Sequence, residues 1–235
     1  MTLQVGLVGR DGIVLASDRL LQSYEGSSRS VSRTSKFLGG AGAICCWSGD
    51  SIAEQSAYGI RNHDWTIAVS NEIEPSRSTL MEIGNAACRK VEAQFGTVPG
   101  AARKVLTVLH RDQLWLLDIS VQNGAVARPI LDREVAGDTA NTCRYFMNRY
   151  ANWCNLRPIA ELVPLAAYTI LAAGEENPYG VGGLEVVVVP KGEVPLFLSG
   201  ERERELESWF RETAKLIQRK LSDPFNYGPV APPQS

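Results

Sequence analysis

Residues 2–19 read TLQVGLVGRDGIVLASDR, and the fold depends on how this stretch turns back on itself. Leu3, Val5 and Leu7 alternate with Gln4 and Gly6, the two-residue period of a strand. Ile13, Val14, Leu15 and Ala16 form a second apolar run. Between them, Gly9-Arg10-Asp11-Gly12 has the composition of a hairpin turn. Folding about Arg10-Asp11-Gly12 pairs residues whose numbers sum to about 21 to 23 by the geometry of a two-residue turn. Thr2 then falls beside residues 19–21 and diagonal to Asp18. A strand that begins at the second residue leaves no slack at the terminus, where chains are usually loose.

Outward from this hairpin the pattern alternates between strand pairs and helix pairs. The serine-rich stretch 23–35 predicts a loop or an irregular ladder, and residues 36–38 and 41–47 a strand pair across Gly39-Gly40. Asp50 is placed to cap a helix carrying Ile52, Ser56, Ile60 and His63. A second helix is predicted from about Ser78, with Leu80, Ile83, Ala87 and Val91 on one face, closed off by Pro99-Gly100. Strands follow over 105–110, 113–119 and 125–130, with a short one ending near Ala136. Next come a helix with Cys143, Phe146, Met147, Tyr150 and Trp153, and another opened by Pro158. Gly182-Gly183 leads into a strand over 184–189. A last helix from about Glu201 turns Leu206, Trp209, Phe210, Leu216 and Ile217 inward. Strands in hairpins and helices in pairs predict an α+β fold of two antiparallel sheets packed together, with helix layers outside. Residues 1–221 read as one domain and 222–235 as a proline-rich mobile tail.

Composition excludes several functions. The net charge is −2 and no basic block occurs, so no nucleic-acid partner is expected. Residues 184–190 are among the longest apolar runs, far short of the roughly 20 residues that cross a bilayer, so no membrane partner is expected. No signal peptide is read, and the five cysteines, Cys45, Cys46, Cys88, Cys143 and Cys154, lack ligand spacing. They are expected as buried, reduced thiols in a cytoplasmic protein. His63 and His110 are the only histidines, too few for a Ser-His-Asp triad or a His-rich metal site.

Thr2 is the better candidate. Removal of Met1 would expose a residue that carries both a hydroxyl nucleophile and an α-amine, whose pKa of roughly 7.7 to 8.0 suits a general base. A lysine close by would lower that value and favour the ionised hydroxyl, and a buried lysine needs a carboxylate. Lys36 and Asp18 are placed for those roles.

LVGRDGIVLASDR, a lysine opening the third strand, and AICCWSGD running into a helix together resemble a proteasome β-subunit or its relatives in bacterial protease rings. The resemblance spans residues 2 to about 221. It implies the four-layered αββα sandwich of N-terminal nucleophile hydrolases. It also implies hydrolysis of peptide or unfolded-protein substrates inside a homo-oligomeric ring, with no metal and no organic cofactor, and with an ATPase or other ring as candidate partner. By position Thr2 matches the nucleophile, Asp18 the acid and Lys36 the lysine. The backbone N–H at Cys46 matches the oxyanion donor, and Leu21, Thr34 and Ile44 match positions that shape the substrate pocket. The chain departs from the pattern after Gly137, where Asp138 stands in place of a serine, and before the paired glycines, where Pro178 and Val181 replace an aspartate and a serine. Asp138, Glu176, Asn177 and Tyr179 are the candidates to support the terminal amine in their stead. A non-catalytic scaffold subunit and an amidase acting on a small molecule are the alternatives.

Overall fold

The computed structural model describes residues 2–25, 28–65, 73–96, 103–110, 112–120, 122–137 and 140–222, with the backbone alone at 21–25, 28–31, 73, 95, 140, 218 and 220–222. Met1, Asp138 and residues 223–235 of the tail lie outside the described residues.

The opening stretch forms the expected hairpin, β1 (Leu3–Gly9) and β2 (Gly12–Ser17). Gln4 faces Ser17 and Gly9 faces Gly12, so opposed numbers sum to 21. The hairpin forms the middle of a five-stranded antiparallel sheet. β10 (Arg133–Gly137) flanks β1, β11 (Glu185–Pro190) flanks β2, and the short β12 (Leu196–Phe197) closes the edge. A second antiparallel sheet runs β5-β6-β7-β8-β9, from β5 (Phe37–Gly40) and β6 (Ala43–Ser48) through β7 (Arg103–Leu109), β8 (Gln113–Ser120) and β9 (Gly124–Ile130).

Both faces of the first sheet are covered, which is why β1 and β2 are buried almost end to end. Leu3, Val5, Leu7, Val14 and Ala16 face a helix layer through Leu162, Ala166 and Ile170. Ile13 and Leu15 face the second sheet through Phe37, Ile44, Leu106 and Leu116. That helix layer consists of α3 (Ala140–Tyr150), α4 (Ile159–Glu176) and α5 (Gly200–Ser222). The layer against the second sheet consists of α1 (Ser51–Asn62) and α2 (Ile73–Phe95), whose Ile52, Ile60, Leu80 and Val91 meet Val105, Trp115 and Leu117. The result is the four-layered αββα sandwich, and no described helix is long and apolar enough to cross a membrane.

Local differences from expectation have local causes. Of the two readings of the serine-rich stretch 23–35, a ladder is what forms, and it starts earlier: β3 (Leu20–Glu25) and β4 (Ser28–Arg33) pair as a two-stranded ribbon. The β5–β6 turn falls at Ala41-Gly42, where Gly42 has φ +76°, rather than at Gly39-Gly40. Helix α2 begins five residues before Ser78, because Pro75 in its first turn takes nothing from the hydrogen-bond ladder. Trp153 is outside α3 in a left-handed conformation (φ +62°), exposed, before a single 3-10 turn at Cys154–Leu156. In α5 only Leu206 and Phe210 of the expected inward set are buried; Trp209, Leu216 and Ile217 stay exposed. Asp50 caps α1 as expected, accepting from the Ile52 amide at 3.0 Å.

Candidate active site

The starts of β1 and β11 and the ends of β2 and β6 converge at one end of the sandwich. There the chain buries charge. Asp18 follows β2 and Lys36 precedes β5; they are 0% and 1% exposed. The Lys36 Nζ donates to both Asp18 oxygens at 2.9 Å and to the Leu20 carbonyl at 2.7 Å, which uses all three of its protons. Asp18 accepts two backbone amides besides, Leu3 at 2.8 Å and Leu20 at 3.0 Å. Leu3 is the residue after Thr2. One carboxylate therefore holds both the ammonium of Lys36 and the peptide group that follows Thr2.

Thr2 is 7% exposed. Gly137, paired with Leu3, has φ +108°, and a Cβ there would collide with the Thr2 carbonyl oxygen. Only glycine lets β10 approach the chain this closely.

Burial dominates the electrostatics. It raises the Asp18 carboxyl above its ordinary value, with Lys36 and the two amides pulling the other way. It lowers the Lys36 ammonium, with Asp18 opposing. Each partner is thus displaced toward its neutral form. A second carboxylate lies beside the pair. Glu185, 5% exposed at the start of β11, accepts the Lys36 amide at 3.4 Å and lies 3.8 Å from Arg19 Nη2. Arg19 also pairs with Glu203 of α5 at 3.1 Å. Burial raises the Glu203 carboxyl, partly offset by Arg19.

The other candidate residues are spread more widely. Cys46 faces Phe37, the neighbour of Lys36, but lies within the sheet with β5 on one side and β7 on the other. Its thiol donates to Gln4 Oε1 at 3.0 Å, and burial pushes it well up. The β5 ladder ends at that pair, so Trp47 and Ser48 extend past it. Thr34 is exposed and lines an open groove of about 670 Å³ with Arg19, Ser35, Glu185 and Glu203. Ile44 is 1% exposed in the core between the sheets, and lines a separate cavity of about 120 Å³ with Val108 and Val189. Leu21 pairs with Ser32 in the ribbon; its side chain is outside the described part. Asp138 is outside it as well. Val181 packs under α4, Pro178 and Tyr179 are exposed, and Glu176 lines a cavity between α3 and α4 with Cys143 and Tyr168. All five cysteines are buried and free, as expected. His63 and His110 flank Trp65 at the far end of β7.

Glu185 and Gln4 are functional candidates that the sequence pattern conceals. A glutamate heading the run Glu185–Pro190, and a glutamine between Leu3 and Val5, both look like solvent-facing positions, yet both point into the molecule.

A sandwich of this layering, with a buried lysine–carboxylate pair beside the start of its first strand, has a proteasome-like fold. No protein-family model and no curated protein matches the chain, whereas solved structures do. A Gly-1 mutant of Anbu from Hyphomicrobium sp. strain MC1 superposes with a TM-score of 0.65 at 11% identity, covering 94% of this chain and 97% of that one. Anbu from Yersinia bercovieri, described as an ancestral beta-subunit, gives 0.63 at 12% identity, covering 92% and 96%. The Anbu complex from Pseudomonas aeruginosa, solved as a helical assembly, gives 0.62 at 14% identity with the same coverage. At such identities what is shared is the fold.

Proposed function

We propose that the chain is a threonine peptidase whose nucleophile is Thr2, released by removal of Met1. The observation that carries this is the Asp18 carboxylate binding both the Lys36 ammonium and the Leu3 amide. The Thr2 hydroxyl oxygen attacks the scissile carbonyl carbon while its proton passes to the α-amine. The C–N bond then breaks, the amine hands that proton to the leaving nitrogen, and an ester remains on Thr2. Water, deprotonated by the same amine, hydrolyses the ester and restores the hydroxyl. The Lys36 charge lowers the pKa of the amine and stabilises developing negative charge on oxygen. The backbone N–H of Cys46, near the end of β6, is the proposed oxyanion donor.

The domain proposed to carry this chemistry is residues 1–221. Assembly into a homo-oligomeric ring acting on peptides or unfolded proteins belongs to the same proposal, supported by the fold shared with a neighbour solved as a helical assembly. A second reading, a non-catalytic subunit of such an assembly, is favoured by Pro178 and Val181, which bring no carboxylate or hydroxyl to the site.

Intact mass spectrometry with and without a peptide epoxyketone or β-lactone separates the two. The peptidase shows loss of Met1, an adduct on Thr2, and hydrolysis of a fluorogenic peptide that vanishes in Thr2→Ala. Retained Met1 with no adduct leaves the scaffold.

A further inference from the structure

We propose that Gln4 is a positioning residue, which fixes the start of β1, and with it Thr2, against the end of β6. Its catalytic consequence rests on Thr2 being the nucleophile.

The proposed site is divided between the two sheets. Thr2 and Asp18 belong to the β1–β2 hairpin, whereas Lys36 and the end of β6 belong to the second sheet. The surface between the sheets is mostly apolar: Ile13, Leu15, Ile44, Leu106, Val108 and Leu116. Apolar contact is nondirectional and sets the register of two sheets only loosely.

Gln4 supplies direction. It is 0% exposed, and its amide is bonded at both ends. Nε2 donates to Ser48 Oγ at 2.8 Å and to the Lys104 carbonyl at 2.9 Å. Oε1 accepts from the Leu106 amide at 3.3 Å and from the Cys46 thiol at 3.0 Å. All four partners lie on β6 and β7, and Gln4 lies on β1. A shift of one sheet against the other by a fraction of a residue would break several of these bonds in low dielectric, where an unpaired amide is costly. Gln4 is two residues from Thr2, and its partners Cys46 and Ser48 bracket the strand end where an oxyanion donor is sought. The Lys36–Asp18 pair links the end of β2 to the start of β5, and Gln4 links β1 to β6 and β7. Together they leave the nucleophile and the oxyanion donor little freedom relative to each other.

Gln4→Met keeps the length and apolar fit of the side chain and removes all four bonds. Ser48→Ala removes one and keeps the rest. Two measurements on both variants decide the matter. With a fluorogenic peptide, Gln4→Met should lose at least about 10-fold in kcat, with KM within about 2-fold, and Ser48→Ala a smaller part of the same loss, since misplacement acts on the chemical step. By hydrogen exchange, the amides of Leu3, Val5 and residues 46–48 should exchange at least about 10-fold faster in Gln4→Met while those of Leu7 and Ile44 keep their rates. An unchanged kcat in folded Gln4→Met, in an active wild type, overturns the catalytic role and leaves the peptidase standing. An inactive wild type overturns the peptidase, and the exchange pattern alone then decides whether Gln4 holds the strand ends. Uniform exchange across β1 and β6 overturns that. Should Gln4→Met not fold, Ser48→Ala carries both measurements, and wild-type values from it overturn the proposal.

Discussion

At the mouth of the sandwich Lys36 meets Asp18 with both side chains out of water, whereas at the head of α1 Arg103 meets Asp50 with the arginine buried and the aspartate 34% exposed. The two pairs are bonded in different ways. Arg103 grips Asp50 as a fork, Nε to one oxygen at 2.7 Å and Nη2 to the other at 2.6 Å, while Asp50 also caps α1 through the Ile52 amide. Lys36 places one nitrogen between the two oxygens of Asp18. A guanidinium does not release its proton in proteins, so the first pair can only hold β7 to α1. The ammonium of Lys36 is a compact charge held by the carboxylate that also binds the amide after Thr2. A charge arrangement that costs desolvation on both sides suits chemistry better than support.

The largest effect should come from breaking the mouth pair. Lys36→Met leaves Asp18 buried without its cation, which should cost about 3–5 kcal/mol of stability in urea unfolding. Peptide hydrolysis per folded molecule should fall about 10²–10³-fold, the usual share of a group that stabilises charge developing on oxygen. Lys36→Arg restores the charge but not the single nitrogen seated between the two Asp18 oxygens, and should leave most of that loss in place. If Lys36→Arg hydrolyses as fast as the wild type, the placement of the charge does not matter, and the contrast with Arg103 disappears.

Arg103→Met tests the other side. Asp50 keeps contact with water and its cap bond to Ile52, so the cost should be only about 1–3 kcal/mol. The kcat of the folded protein should stay at its wild-type value. A large fall in kcat with unchanged unfolding would mean that α1 and the head of β7 feed into the site, and the division between a supporting pair and a chemical pair would be wrong.

The contrast also explains what could be read in advance. The hairpin was legible because its turn, Arg10-Asp11-Gly12, and its alternation agree, and the observed register sum of 21 falls within the range of about 21 to 23 that they allow. That register placed Thr2 near Asp18. Asp50 was legible as a cap because a helix start leaves amides that a short acidic side chain can reach. Gln4 and Glu185 were hidden for one reason: alternation assigns polar residues to the wet face of a sheet, and this sheet has none. The position of Cys46 in the ladder was hidden for another. A match by spacing fixes a residue along the strand but not how far the neighbouring strand extends, and β5 reaches Cys46. Trp153 was assigned to α3 because its spacing is helical, but the chain had already left the helix at Tyr150.

The smallest expected effect concerns how the mouth pair responds to pH. The Asp18 carboxyl is raised chiefly by burial, and the Lys36 ammonium is lowered chiefly by burial. A carboxyl raised in the folded state favours folding fully below its unfolded value, about 3.9, and loses that contribution as pH rises through the folded value. A lysine lowered in the folded state favours folding fully above about 10.4 and loses its contribution as pH falls through the folded value. The pair is therefore least favourable between those limits. Compared with Asp18→Asn/Lys36→Met, the wild type should lose relative stability as pH rises from about 4 toward neutral. It should regain stability toward pH 10, which urea unfolding of both proteins across that range would show. A gap that moves the opposite way from pH 4 upward would mean that attraction to Lys36 outweighs burial. The carboxylate would then be held firmly charged, and the mouth pair would be a brace of the kind Arg103 makes with Asp50.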